Sequence, residues 1–276
     1  MPARGASRHG YVARFEDVLN RSSGRAPTPA PLSSIDGRYA WQEASVARGC
    51  QDGLVAKRYL KVPELIVGFD TETTGLDVRV ERAISYGFCE YRYGQPVSSE
   101  HFFVVPDRPI TEGARRVHGL SLEDLEAKRL HEQVRSVREG LEHTFEILRN
   151  YQSLDALIVG SNVSQFDIEM FRWSYRSVVG RSPSEDGLNI SKLRIIDVVE
   201  HDLAIEPSRS NRPRRGLSYL CRHYGVKQGG HDALEDARAA VEVFFEQVLH
   251  NNAGQMGLGI EAEPSPSLRV QQLHES

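Results

Sequence analysis

The stretch Leu65-Ile-Val-Gly-Phe-Asp70-Thr-Glu72-Thr-Thr-Gly-Leu76 opens as an unbroken apolar run and closes on two carboxylates. A short apolar run of this kind reads as a strand buried on both faces of a sheet. In an extended chain residues two apart point the same way, so Asp70 and Glu72 share one side of the strand end. Thr73-Thr74-Gly75 then supplies hydroxyls and a turn where a substrate end can approach the backbone.

Working outward, Ala83 to Tyr93 and Glu100 to Val105 are rich in β-branched and aromatic residues, and Gly94-Gln-Pro96 between them signals a turn. They read as an antiparallel pair. Glu132 to Asn150 carries Val134, Val137, Leu141, Phe145 and Leu148 at helical spacing. Asp155 to Gly160 is a further strand, Ile168 to Val179 a helix and Leu193 to Val199 a fifth strand. Helices follow at Leu217 to Tyr224 and Ala233 to His250, the last with Ala237, Ala240, Val241, Phe244, Val248 and Leu249 as its core-facing stripe. The predicted class is α/β, a mixed five-stranded sheet flanked by helices.

The 276 residues fit one globular domain with appendages. No run approaches the ~18 apolar residues of a membrane span, and the first residues lack the apolar core of a secretory signal. Three cysteines with no close pairing suggest neither a disulfide framework nor a zinc site, so a cytoplasmic location is expected. A net charge of −4 excludes a broadly basic nucleic-acid coat; a polyanion would have to be held locally. Residues 1–60 hold nine Lys/Arg against five Asp/Glu and read as an N-terminal extension. Within it Tyr11, Val12, Phe15, Val18 and Leu19 have the spacing of a short helix, and Ser22 to Ser34 the composition of a flexible linker. Residues 251–276 read as a flexible tail.

Two more motifs carry acidic groups. Asn162-Val-Ser-Gln-Phe-Asp167 puts Asp167 in the first turn of a helix, where the helix dipole favours a carboxylate. His231-Asp-Ala-Leu-Glu-Asp236 puts Asp236 in the first turn of the last helix and His231 just outside it. Asp232, three residues before Glu235, reads as a helix cap. Two carboxylates roughly 4 Å apart repel by about 4 kcal/mol at an effective dielectric of 20. A fold that gathers Asp70, Glu72, Asp167 and Asp236 is most simply explained by divalent cations, and hard oxygen ligands suit Mg²⁺ or Mn²⁺. Carboxylates around two metals, with a base such as His231 nearby, are an arrangement that cleaves phosphodiesters.

In this order, FDTETTGL, N-x-x-x-F-D and H-x-x-x-x-D resemble the DEDDh 3′→5′ exonucleases, in particular the proofreading epsilon subunits of bacterial DNA polymerase III and their stand-alone relatives. The likeness runs from about Leu65 to Leu249 and includes Val117-His-Gly-Leu-Ser121, Ile195-Ile-Asp197 and Leu217 to Val226. It implies a ribonuclease-H-like fold over residues 61–250 and hydrolysis from a free 3′ end, with single-stranded DNA as substrate and nucleoside monophosphates as products. It further implies two ions per site. Asp70, Glu72 and Asp236 would hold the catalytic one, Asp70 and Asp167 the second, and His231 would be the general base. Thr73, Leu76 and Asn162 become substrate-contact candidates, with core packing the alternative for Leu76. Ser161 stands where these enzymes often have histidine.

Three readings stay open on the residues. The substrate can be RNA, since nothing identifies a reader of the 2′-hydroxyl. The chain can be a non-catalytic adaptor, against which stand five intact site positions. The terminal extensions can recruit a DNA polymerase or another replication protein. His118 is a candidate for either substrate contact or loop shaping, Asp197 reads as structural, and Arg209, Arg212, Arg214 and Arg215 form either a solvated loop or a backbone clamp.

Overall fold

A computed structural model describes residues 63–129, 134–206 and 216–255. The predicted N-terminal helix, the linker, the arginine run and most of the C-terminal tail lie outside the described residues. The chain divides into two units, and the fold below belongs to the one formed by Pro63–Phe245.

Its sheet has six strands: β1 (Leu65–Thr73), β2 (Ala83–Arg92), β3 (Gln95–Val105), β4 (Val134–Ser136), β5 (Leu157–Gly160) and β6 (Arg194–Asp197). The spatial order is β4-β3-β2-β1-β5-β6. Strands β1 to β3 form an antiparallel meander, while β5 and β6 run parallel to β1 on its other side. The helices are α1 (Glu112–His118), α2 (Leu122–Lys128), α3 (Val137–Ser153), α4 (Asp167–Val179), α5 (Val198–Ile205), α6 (Leu217–Tyr224) and α7 (Ala233–Gln255). Among the described residues no helix is long and apolar enough to cross a membrane.

The α/β class holds, but the strand count of five is corrected to six. The extra strand is Val134–Ser136, which pairs in parallel with Phe103–Val105 where a helix start was expected. Ser136 decides the boundary: its hydroxyl accepts from the Glu139 amide while the Glu139 carboxylate accepts from the Ser136 amide, a capping box that starts α3. At the other edge the fifth predicted strand stops at Asp197, whose carboxylate accepts from the Val199 amide at 2.9 Å and starts α5. Helices α1, α2 and α5 were not predicted. The β2–β3 turn sits at Tyr93-Gly94, both left-handed at φ 50° and 75°. Pro96 lies inside β3 opposite Tyr91, beside a register shift.

Alternation along β1 sorts the two faces. Leu65, Val67 and Phe69 join Leu141, Phe145 and Leu148 of α3 and Ile168, Met170 and Phe171 of α4 in one core, where Phe69 stacks on Phe88 at 4.5 Å. The opposite face meets α7, and at Gly87 the approach is close. A Cβ there would lie 2.3 Å from the Ala233 carbonyl and 2.4 Å from the Leu234 nitrogen. The first turn of α7 therefore rests directly on β2, opposite the point where Asp70 pairs with Gly87.

Candidate active site

The site forms where the C-terminal end of β1 meets the starts of α4 and α7. Asp70 and Glu72 project toward α7, whose first turn carries Asp236. Carboxylate oxygens of Glu72 and Asp236 and a ring nitrogen of His231 all lie within 4.8 Å of one another. Asp167 is the first residue of α4 and is buried. It lies on the face of Thr71, whose hydroxyl donates to Asp167 Oδ1 at 2.5 Å. The structure thus brings together all four acidic residues and the histidine singled out in the sequence.

Their electrostatics are those of carboxylates buried close together. Burial, followed by the charges of Asp167, Asp236 and Glu72, holds the Asp70 carboxyl well above its usual range. Burial and the charges of Asp236 and Asp167 push Glu72 up to about 8. Burial takes Asp167 to about 7, opposed by the Thr71 hydroxyl and backbone donors. Asp236 is raised by burial, against the pull of His231 and of the amides of His231 and Gly229. The His231 amide donates to Asp236 Oδ2 at 3.2 Å. Gly229 fits here because a Cβ would lie 2.2 Å from Asp236 Oδ1. His231 itself is exposed and left-handed at φ 64°. Four oxygen donors held at this mutual cost are a donor set that fits hard divalent cations.

The remaining candidates fall into two groups. Leu76 is 86% exposed, so the core alternative for it is wrong. Thr73 is buried and its hydroxyl donates to the Gly75 carbonyl at 2.8 Å. Thr74 donates to Glu81 Oε2 at 2.5 Å and accepts from the Arg82 amide at 2.9 Å. The hydroxyl of Thr73, a substrate-contact candidate, and that of Thr74 therefore build the loop that carries Leu76. His118 shapes the same corner: the Leu120 amide donates to its Nδ1 at 3.0 Å, which leaves Nε2–H to donate to the Thr73 carbonyl at 3.1 Å. Burial, with a smaller push from His231, lowers its pKa. Asn162 is exposed and left-handed at φ 56°, and its carbonyl accepts from the Gln165 and Phe166 amides. Asp232 is a cap, with Oδ1 accepting from the Leu234 and Glu235 amides at 3.1 Å each. Asp197 is structural.

A cleft of about 390 Å³ opens beside the acidic cluster, lined by Asp70, Ser161, His231 and Asp236 together with residues of α6 that include Tyr219 and Arg222.

The family model for exonucleases of the RNase T type matches residues 67–244, an interval that contains every residue of this site. The chain belongs to that exonuclease family.

Among curated relatives, the PolC-type DNA polymerase III of Thermotoga maritima is 29% identical over 191 residues, covering 66% of this chain and 12% of that protein. The DNA polymerase III epsilon subunit of Rickettsia felis is 29% identical over 188 residues, covering 64% of this chain and 71% of that subunit. The chain thus spans a small fraction of the polymerase and most of the epsilon subunit. Of solved structures, exonuclease I of E. coli in complex with a dT13 oligonucleotide aligns with a TM-score of 0.53 at 17% identity, over 71% of this chain and 43% of that one. Exonuclease I of Methylocaldum szegediense gives 0.53 at 20%, over 70% and 42%. The alignment shows a ribonuclease-H-like fold in this domain.

Two groups of residues at this site are not legible in the sequence. Thr71 had a signal, a hydroxyl between two motif carboxylates, but its partner is 96 positions away. The α6 residues lie inside the stretch of resemblance from Leu217 to Val226, but Tyr219 and Arg222 look there like ordinary residues of an amphipathic helix.

Proposed function

We propose that this exonuclease hydrolyses the phosphodiester at the 3′ end of DNA, with two divalent ions, Mg²⁺ or Mn²⁺, and releases nucleoside monophosphates. The observation that carries the reading is the meeting of Asp70, Glu72, Asp167 and Asp236 beside an exposed histidine whose ring nitrogen is within 4.8 Å of two of those carboxylates. Asp70, Glu72 and Asp236 would hold one ion, and Asp70 with Asp167 the other. Bound there, the ions would offset the carboxylate charge and stabilise the attacking and leaving oxygens. His231 takes the proton of the attacking water at its ring nitrogen, and its exposed position lets that proton pass to solvent. Exposed Leu76 packs against the terminal base, and the corner formed by Thr73, Gly75 and His118 presents backbone to the terminal sugar. Asn162, outside the cleft lining, is a peripheral contact at the rim.

DNA as substrate is favoured by the polymerase III relatives, and single strands by the oligonucleotide bound to E. coli exonuclease I. A replication polymerase is the partner we assign to residues 1–60 or 251–276. The free thiols Cys89 and Cys221 fit the reducing cytoplasm. The test is digestion of matched DNA and RNA single strands labelled at the 5′ or the 3′ end. The reading requires a ladder shortening from the 3′ end of the 5′-labelled DNA, immediate release of label from the 3′-labelled DNA, and slower action on RNA. Degradation from the 5′ end, or a preference for RNA, would contradict it.

A further inference from the structure

The cleft beside the acidic cluster has a wall that the chemistry above does not use. Helix α6 contributes Gly216, Leu217, Ser218, Tyr219 and Arg222 to it. Arg222 is exposed and makes no ion pair with any described residue. The hydroxyl of Tyr219 has almost no exposed surface and no hydrogen-bond partner among the described residues. A buried hydroxyl left unpaired costs about 1–3 kcal/mol, and such groups persist where a ligand satisfies them. Gly216, at the N-cap of α6, brings no side-chain acceptor, so the helix start adds donors to the same wall. The α6 part of the lining thus brings a guanidinium and an unpaired phenol into the same cleft as the carboxylates of Asp70 and Asp236.

The position of this wall relative to the terminal-nucleotide corner gives it a role. Thr73 and Leu76 do not line the cleft, whereas Asp70, three residues before Thr73 on β1, does. A strand whose last nucleotide rests at Thr73 and Leu76 therefore crosses the carboxylates and enters the cleft under α6. We infer that Tyr219 and Arg222 bind the phosphate on the 5′ side of the scissile bond, so that α6 is the subsite for the chain that remains after each cut. This rests on the exonuclease reading. Phosphate fits chemically: its oxygens accept from both the phenol and the planar guanidinium, and it brings the negative charge that Arg222 lacks. It also answers a problem of the site, since the next phosphate of the chain would otherwise meet the acidic cluster without a counter-charge.

The test compares two substrates. Single-stranded oligothymidylate has an upstream chain; the p-nitrophenyl ester of thymidine 5′-monophosphate has none. Arg222→Ala and Tyr219→Phe should each raise KM for the oligonucleotide roughly tenfold more than for the ester. Arg222→Lys should recover part of the loss. Fluorescence anisotropy of labelled oligothymidylate in EDTA should show weaker binding in both variants, and Arg222→Ala should flatten the dependence of log affinity on log salt by about 0.7. Tyr219→Phe should melt no lower than the wild type, because it removes an unpaired buried hydroxyl; a structural role would lower it. Equal effects on the two substrates, or an unchanged affinity and salt slope, would overturn the inference. Anisotropy needs no hydrolysis, so it decides the inference even where the protein cleaves neither substrate, a result that would defeat the exonuclease reading alone.

Discussion

The Thr71 hydroxyl donates to Asp167 Oδ1 at 2.5 Å, with both side chains buried, and so ties the start of α4 to the strand that carries Asp70 and Glu72. Strand alternation explains the contact. Asp70 and Glu72 face α7, and the residue between them faces α4. Thr71→Val keeps the shape and removes the donor, leaving a buried carboxylate short of one partner. We expect a loss of about 1–3 kcal/mol of stability in urea denaturation and weaker Mn²⁺ binding by calorimetry. Thr71→Ser should restore most of both.

Close packing of α7 on β2 leads to a second prediction. In Gly87→Ala the new Cβ meets backbone of Ala233 and Leu234 rather than a movable side chain. The first turn of α7, with Asp236, must move outward. Overpacking of this kind costs about 1–3 kcal/mol, so thermal melting should fall and metal affinity with it. Unchanged values for both would show that the approach of α7 to β2 does not set the site.

The acidic cluster makes stability depend on pH in an unusual direction. Burial and neighbouring charges push Glu72 up to about 8 from an ordinary 4.5, and burial pushes Asp167 up to about 7 from 3.8. The folded, metal-free protein therefore holds more protons than the unfolded chain between about pH 4 and 8, so this contribution to stability falls as pH rises through that window. Divalent cations reverse the effect by binding the ionised form. Thermal melts with EDTA and with Mn²⁺ should differ little at pH 5 and most near pH 8. A gap that does not grow with pH would contradict the assignment.

Leu76 separates binding from folding. A side chain 86% exposed contributes little to the core, so Leu76→Ala should change stability by less than about 0.5 kcal/mol. If Leu76 packs against the terminal base, KM for oligothymidylate should rise severalfold in steady-state assays. A stability loss with KM unchanged would return Leu76 to a structural role.

Much of this was legible in the sequence, for a physical reason. The buried run Leu65 to Phe69, the i, i+2 pair Asp70 and Glu72, and the helix starts at Asp167 and Asp236 are all local patterns, and each was placed correctly. Errors arose where one residue satisfies two patterns. Val134 fits both the helical stripe and the edge strand β4, and the Ser136–Glu139 box that separates them was overlooked. Val198 and Val199 read as strand because they are β-branched, although Asp197 caps a helix at that point. Thr73 reads as a substrate contact, yet its hydroxyl is used by the Gly75 carbonyl. The link between Thr71 and Asp167 and the α6 wall depend on contacts between distant segments, which no local pattern encodes.

The most direct test of the central claim, that these carboxylates form a metal-dependent hydrolytic centre, is the rate of mononucleotide release from a 3′-labelled single-stranded oligonucleotide. It would be measured after EDTA stripping and on return of Mg²⁺, in wild type and in Asp70→Asn. We expect no release in EDTA, recovery with Mg²⁺ in the wild type, and a loss of at least about a hundredfold in Asp70→Asn at every Mg²⁺ concentration. Release that continues in EDTA, or that Asp70→Asn sustains at the wild-type rate, would contradict the account.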